Sequence, residues 1–75
     1  MKIKVQRNEV EFTKANRIFY NGFCYQFMNG YGQVAVSRMN KLINEKKLIE
    51  CECPENYKNF GTYDQCTWYK LNEEL

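Results

Sequence analysis

Alternation of apolar and polar residues runs through the segment 17–36, and the pairs Asn21-Gly22 and Asn29-Gly30 divide it. Asn-Gly pairs adopt the positive φ angles that a two-residue type I′ hairpin turn needs. We therefore predict three strands joined by two tight turns. The two turns together place a wholly apolar or aromatic set on one face of this antiparallel β-meander: Ile18, Tyr20, Phe23, Tyr25, Phe27, Val34 and Val36.

The turns also predict which residues lie opposite one another. The first turn pairs Tyr20 with Phe23 and Ile18 with Tyr25, and the second pairs Tyr25 with Val34. Two turns assigned separately thus agree on one amphipathic sheet, which favours the assignment. The opposite face is mixed and suited to partial exposure: Arg17, Phe19, Cys24, Gln26, Met28, Tyr31, Gln33 and Ala35.

A helical pattern follows the meander. We predict a helix that begins at Ser37, whose hydroxyl can cap a backbone N–H of the first turn. A competing interpretation begins the helix near Gln33. The apolar stripe of this helix, which packs on the sheet, consists of Met39, Leu42 and Ile43. Lys46 falls near this stripe, so its side chain would have to extend past the apolar residues to bring the ammonium group to water.

Two further strands are predicted after the helix. Residues 48–53 alternate, with Ile49, Cys51 and Cys53 inward, and Pro54 ends the strand. A polar loop spans 54–62, and a second strand runs back over 65–71, with either face a candidate for burial.

The two ends of the chain carry weaker signals. Ile3 and Val5 fit a short strand, and Val10 and Phe12 fit another, with a turn or bulge near residue 7. Residues 71–75 are expected to fray.

These elements make a small α+β fold. We expect residues 1–75 to form a single domain with an N-terminal antiparallel β-meander, one short α-helix packed on it, and a C-terminal β-hairpin. Seventy-five residues suffice for one domain with a thin core and no more. A helix of about three turns is too short to persist alone, so its stability must come from packing on the apolar face of the sheet.

The cellular setting follows from what the chain lacks. No window reaches the roughly 18 apolar residues of a membrane span, and the start carries no secretory signal. We therefore expect a soluble cytoplasmic protein that does not engage a membrane. In a reducing compartment four cysteines are expected as free thiols, with a zinc site or disulfides as alternatives: Cys24, Cys51, Cys53 and Cys66.

The residue types argue against catalysis. The chain has no histidine, and its one aspartate is Asp64, so the usual general base and the nucleophilic triads are missing. The four glycines match neither a dinucleotide-binding fingerprint nor a phosphate-binding loop. We expect a protein that is not an enzyme, with no cofactor and no metal site.

Surplus aromatic residues point to a protein partner. Aromatic residues make up 16% of the chain, more than a small core needs. Lys and Arg concentrate in residues 1–47 and acids in 48–75, which gives a charge-split surface. The richness in Asn, Lys, Ile, Tyr and Phe is typical of A/T-rich genomes, including those of phages, and suggests an accessory or inhibitor protein of a phage or mobile element. The predicted partner-binding residues are Tyr31, Tyr57, Tyr63 and Trp68.

Nucleic acid is the alternative partner. Residues 36–49, followed by a hairpin that ends in Trp68-Tyr69-Lys70-Leu71, resemble the recognition helix and wing of winged-helix proteins. The resemblance covers residues 36–71 and implies a small regulator that binds nucleic acid with its helix and wing. The residues it implies for base or phosphate contact are Arg38, Asn40, Lys41 and Asn44 on the helix and Lys58 on the wing.

Overall fold

The computed structural model describes residues 1–73. Over this range it contains seven strands and one α-helix, together with three short 3-10 turns. In chain order the strands and helix are β1 (Lys2–Val5), β2 (Asn8–Glu11), β3 (Ile18–Tyr20), β4 (Tyr25–Phe27), β5 (Gln33–Val34), α1 (Val36–Asn44), β6 (Leu48–Cys51) and β7 (Thr67–Leu71).

The strands form two antiparallel sheets. Strands β1 and β2 make a separate hairpin, and the other five make one sheet in the order β5-β4-β3-β7-β6. The predicted α+β class, with a meander, one helix and a C-terminal hairpin, is confirmed. The sequence did not predict that β7 pairs with β3 as well as with β6, which joins the meander and the C-terminal hairpin into a single sheet.

One face of the five-stranded sheet carries the main core. Helix α1 and the β1–β2 hairpin cover this face together, and the Phe12 and Phe27 ring centroids lie 5.4 Å apart between hairpin and sheet. The predicted N-terminal strands and the predicted apolar residue of the helix, Met39, are confirmed here. The buried members of this core are Ile3, Val5, Phe12, Ile18, Tyr25, Phe27, Val34, Met39 and Leu48.

The register of the second predicted turn is confirmed, but the strands beside it are shorter than predicted: β4 ends at Phe27, Met28–Gly30 form a 3-10 turn, and β5 begins at Gln33. Asn29 has φ 64° and Gly30 has φ 77°, as a type I′ turn requires, and Tyr25 pairs with Val34. The backbone N–H of Phe27 donates to the carbonyl of Gly32 at 3.1 Å, which closes the same register.

The first predicted turn is wrong in length. Tyr20 pairs with Tyr25 and not with Phe23, so four residues, 21–24, make the turn. The side-chain oxygen of Asn21 accepts hydrogen bonds from the backbone N–H groups of Phe23 and Cys24, each at 2.9 Å, and this local bonding outcompetes the tighter turn. Phe23 is therefore 89% exposed, and its predicted place on the apolar face is wrong.

The helix starts earlier than predicted. It begins at Val36, with Ala35 at the N-cap position and no side-chain cap, so Ser37 does not cap it and Val36 does not extend the meander. Strand β5 ends at Val34, and the helix follows it after the single residue Ala35. Lys46 lies beyond the helix with φ 60° and is exposed, so its predicted place beside the apolar stripe is also wrong.

Strand β6 faces the opposite way from the prediction. Leu48 is buried in the core, whereas Ile49 is exposed and Cys51 is half-buried on the other face of the sheet. The alternation was identified correctly, but it does not say which of two covered faces is the main core.

The end of β7 is held in place. Leu71 pairs with Leu48, and the backbone N–H of Asn72 donates to the carbonyl of Lys47 at 2.9 Å. The predicted fraying is therefore wrong for Leu71 and Asn72, while Glu74 and Leu75 lie outside the described residues.

Candidate partner-binding groove

A row of side chains crosses the second face of the large sheet. The pairing registers align one residue from each strand on this face, because directly paired residues of antiparallel strands share a face. The row begins with two amides and continues into two aromatic rings and a thiol: Gln33, Gln26, Phe19, Trp68 and Cys51.

The loop between β6 and β7 covers the aromatic half of this row. Trp68 is 1% exposed, and its indole Nε1 donates to the carbonyl of Tyr63 at 2.8 Å. The Phe19 and Trp68 ring centroids are 4.7 Å apart. The Tyr57 ring packs on Trp68 at 5.4 Å, and the Tyr63 ring packs on Phe19 at 5.3 Å. The loop whose role the sequence left open thus encloses a second, smaller aromatic core.

The same loop is tied to the β4–β5 turn. The Tyr57 hydroxyl accepts a hydrogen bond from the backbone N–H of Asn29 at 3.1 Å and donates to its side-chain oxygen at 3.3 Å. Tyr57 also meets the Tyr63 ring edge-on at 5.1 Å. These contacts hold two segments that lie 28 residues apart in sequence at a fixed separation.

A groove of about 490 Å³ lies where the loop stops and the amide half of the row begins. Its floor and walls combine aromatic rings, side-chain amides and glycine backbone, with no charged residue among them. No hydrogen bond within residues 1–73 involves the side-chain amides of Gln6, Gln26 or Gln33. The lining residues are Gln6, Phe19, Gln26, Phe27, Asn29, Gly30, Gly32, Gln33, Tyr57 and Tyr63.

The structure separates the four predicted partner-binding aromatics. Tyr57 and Tyr63 line the groove, whereas Tyr31 does not: it is 46% exposed, and its ring packs edge-on against Phe27 of the main core at 5.6 Å. Trp68 lies beneath the loop and not on the surface, and its hydrogen-bonded indole completes the small core.

Sequence reasoning missed the glutamines and two exposed rings. Gln26 and Gln33 were assigned to the mixed face, but their alignment with Phe19 depends on the register across three strands. Phe23 and Phe60 are 89% and 63% exposed, more than any of the predicted aromatics. Their position in turns, flanked by Asn and Gly, is the signal that could have found them.

A second region of interest is basic. Arg38 and Lys41 of α1 face the outward side of β1, and two neighbouring grooves of about 350 and 250 Å³ share Lys4 and Arg38. Glu45 is the acid that lines this region, and its carboxylate pairs with Lys47 at 3.0 Å. The cations of the combined surface are Lys2, Lys4, Arg38, Lys41 and Lys47.

The other predicted nucleic-acid contacts lie apart from these cations. Asn40 and Asn44 are exposed on α1, and the Asn40 side-chain oxygen accepts a hydrogen bond from the Tyr25 hydroxyl at 3.2 Å. Lys58 lines a different cavity and pairs with Glu55 at 2.9 Å. Since β7 is paired on both sides, the hairpin belongs to the main sheet and does not project as a wing.

The four cysteines are free thiols. Cys51 and Cys53 line a cavity of about 600 Å³, and burial raises the pKa of both thiols above the ordinary value. A raised pKa disfavours the thiolate that a nucleophile or a zinc ligand needs. Within residues 1–73 no three Cys, Asp or Glu side chains are grouped in a way that could hold a metal ion.

Comparison with family models, with curated proteins and with solved structures finds no match to this chain. Among the helices of the described residues, none has the length and apolar character needed to cross a bilayer.

Proposed function

We propose that this protein is a non-catalytic protein-binding module that contacts its partner through the charge-free groove beside Tyr57 and Tyr63. The observation that carries the proposal is the groove itself, in which aromatic rings and side-chain amides lie side by side without any charged residue. Buried aromatic anchors surrounded by polar groups are typical of the centres of protein interfaces.

Rigidity of the groove supports this function. The Tyr57 and Asn29 hydrogen bonds and the Trp68 bond to Tyr63 hold the walls before any partner arrives. A site that is already ordered loses little conformational entropy on binding, which favours affinity. A small module that acts by surface contact alone suits an accessory or inhibitory protein, such as those that phages and other mobile elements encode.

Affinity capture tests the proposal with matched variants. Gln33→Arg places a charge and extra bulk in the groove at an exposed position, and Gln65→Arg makes the same change at an exposed position outside it. We expect the wild type and Gln65→Arg to retain the same protein from an extract of the source cell, and Gln33→Arg to lose it. Equal retention by all three, with circular dichroism showing each folded, would refute the groove as the binding site.

Nucleic-acid binding is the second candidate, and the basic surface between β1 and α1 favours it. Arg38 and Lys41, which the sequence already singled out, are joined there by Lys2, Lys4 and Lys47. A contiguous row of cations can neutralise several phosphates, and such binding weakens steeply as salt rises.

Salt and charge variants test this second candidate. We expect a labelled oligonucleotide to bind at low ionic strength, with Arg38→Gln weakening binding and Lys58→Gln leaving it unchanged, because Lys58 lies in another cavity. Binding that is undetectable at low salt would exclude the candidate.

A further inference from the structure

Two free thiols flank the loop between β6 and β7, one at each end. The last pair of residues that the two strands form before the loop is Cys51 with Trp68. Two residues further along each chain segment, the same register sets Cys53 opposite Cys66, with both side chains on the face that carries Cys51. The backbone of Cys66 is extended, with φ −79° and ψ 154°, so β7 keeps its direction back to this residue.

The electrostatic environment of Cys53 also places the two thiols near each other. Burial is the largest cause that raises the pKa of Cys53, and the Asp64 carboxylate and the Cys66 thiolate raise it further. A charge has this effect only on groups close to it in space. Both thiols are half-buried, so a small reagent in solution can reach them.

We propose that Cys53 and Cys66 form a reversible disulfide by exchange with a low-molecular-weight disulfide such as oxidised glutathione. Directly opposed residues have Cβ atoms about 4.5–5.5 Å apart, and a disulfide needs about 3.5–4.5 Å, so a small approach closes the bridge. The Cys66 N–H donates to the Tyr63 carbonyl at 3.2 Å and not across to Cys53. The approach therefore breaks no hydrogen bond between the strands.

The sheet order disfavours the other cysteine pairs. Cys51 lies diagonal to Cys66, at about 7–8 Å, and about 7 Å along its own strand from Cys53. Cys24 lies just before β4, and β3 separates β4 from β7, so two strand spacings of about 4.8 Å lie between Cys24 and Cys66. A disulfide requires Cα atoms within about 7 Å, so Cys53 and Cys66 are the pair that the fold favours.

The exchange balances in atoms and electrons. The thiolate of one cysteine attacks a sulfur atom of glutathione disulfide, forms a mixed disulfide and releases one glutathione thiolate. The thiolate of the other cysteine attacks the cysteine sulfur of the mixed disulfide, forms the bridge and releases the second glutathione thiolate. The two cysteines are oxidised, the glutathione disulfide is reduced, and the two protons that the cysteines lose pass to the two glutathione thiolates. Because the pKa of Cys53 is raised, the exchange should accelerate as pH rises above neutral.

The bridge would tie together the two ends of the segment that forms one wall of the groove. Residues 54–65 carry Tyr57 and Tyr63, and in the reduced protein hydrogen bonds such as that from Trp68 to the Tyr63 carbonyl hold them in place. A disulfide across this segment restricts the unfolded chain and opposes local opening of the loop. The redox state of the surroundings would therefore set the rigidity of the groove, whatever partner the groove binds.

Disulfide mapping on the full chain provides the test. The reduced, folded protein is incubated at high dilution with increasing ratios of oxidised to reduced glutathione, and its free thiols are then blocked, digested and analysed by mass spectrometry. We expect a species lighter by two hydrogen atoms in which Cys53 is joined to Cys66. This species should melt roughly 10–20 °C higher than the reduced protein. Hydrogen exchange of the amides of residues 57–65 should slow by about tenfold or more.

Single serine variants provide matched controls within the same chain. Cys53→Ser and Cys66→Ser should form no bridge, retain glutathione on the remaining thiol and show no rise in melting temperature. Cys24→Ser and Cys51→Ser should form the bridge as the wild type does. Circular dichroism confirms that each variant is folded before the exchange.

Three results would overturn the proposal. The first is a wild type that stays reduced, or carries only glutathione, at a large excess of oxidised glutathione. The second is a bridge that joins any other pair of cysteines in the folded protein. The third is a bridge between Cys53 and Cys66 that changes neither the melting temperature nor the hydrogen exchange of the loop, which would refute control of the groove wall.

Discussion

The indole Nε1 of Trp68 donates a 2.8 Å hydrogen bond to the backbone carbonyl of Tyr63, five residues earlier in the chain. This bond joins the beginning of β7 to the loop that precedes it and keeps the Tyr63 ring over Phe19, at a centroid distance of 5.3 Å. The shape of the candidate groove thus depends on a residue that does not line it.

Replacing Trp68 with phenylalanine should destabilise the protein by about 2 kcal/mol, because the Tyr63 carbonyl loses its donor and the smaller ring leaves space beneath the loop. Urea unfolding followed by circular dichroism measures this, since Trp68 is the one tryptophan of the chain. The control is Phe60→Leu in the same loop, where the side chain is exposed and the change should be near zero. Equal effects of the two variants would contradict the role assigned to Trp68.

Gly32→Ala should be more costly than Gly30→Ala. Both glycines have positive φ, which costs about 1–2 kcal/mol for alanine. A Cβ at Gly30 meets nothing within 4 Å, but at Gly32 it would lie 2.9 Å from the Cγ1 of the buried Val5. We expect Gly30→Ala to cost about 1 kcal/mol and Gly32→Ala about 2–4 kcal/mol in chemical denaturation. Similar losses would mean that β1 does not pack tightly on Gly32.

Lys46→Gly should stabilise the protein. The N–H of Lys47 donates to the carbonyl of Leu42 and the N–H of Lys46 to that of Ile43, the two bonds of a Schellman motif, and Lys46 occupies its left-handed position at φ 60°. Glycine there relieves about 1 kcal/mol of backbone strain.

The matched control is Lys47→Gly, at a position without positive φ. It should lower the melting temperature while Lys46→Gly raises it. A lower melting temperature for both would show that the Lys46 side chain stabilises the fold.

Stability should fall at alkaline pH. Burial, reinforced by the neighbouring Tyr69 and Tyr20 phenols, raises the pKa of Tyr25, and burial raises that of Cys51. The folded state then holds protons that the unfolded chain releases, so the free energy of unfolding is retained below the unfolded pKa values and lost as pH rises.

Urea midpoints should therefore be level from about pH 7 to 8 and should decline above about pH 9, where unfolded cysteine and then tyrosine ionise. Tyr25→Phe should lower the midpoint at neutral pH, since the hydrogen bond to Asn40 is lost, and should flatten the alkaline decline. A decline of unchanged steepness in Tyr25→Phe would show that Tyr25 ionisation does not drive it.

Face assignments within the meander were predictable because strand periodicity tolerates some errors of register. The true pairing of Ile18 is with Phe27 and not with Tyr25, a shift of two residues, which leaves every paired side chain on its predicted face. Phe23, by contrast, is not part of a strand. The Asn21 side chain accepts hydrogen bonds from the backbone of Phe23 and Cys24, and the longer turn that results contains Phe23.

The candidate site was predictable only in part. Tyr57 and Tyr63 were identified by residue type, whereas the groove they line also requires Gln26 and Gln33 from strands on the far side of Phe19. Trp68 was identified for the same reason as the tyrosines, but its indole found an acceptor inside the fold and became core.

The local sequence alone determined the alternation of apolar and polar residues within each strand, the Asn29-Gly30 turn and the apolar stripe of α1 through Met39. Each of these features depends only on residues that are close in sequence. The tertiary structure alone decided that β7 inserts beside β3, that the sheet is covered on both faces, and that Leu48 rather than Ile49 faces the main core. An alternating strand with apolar residues on both sides satisfies either orientation, and only the packing of distant segments selects one.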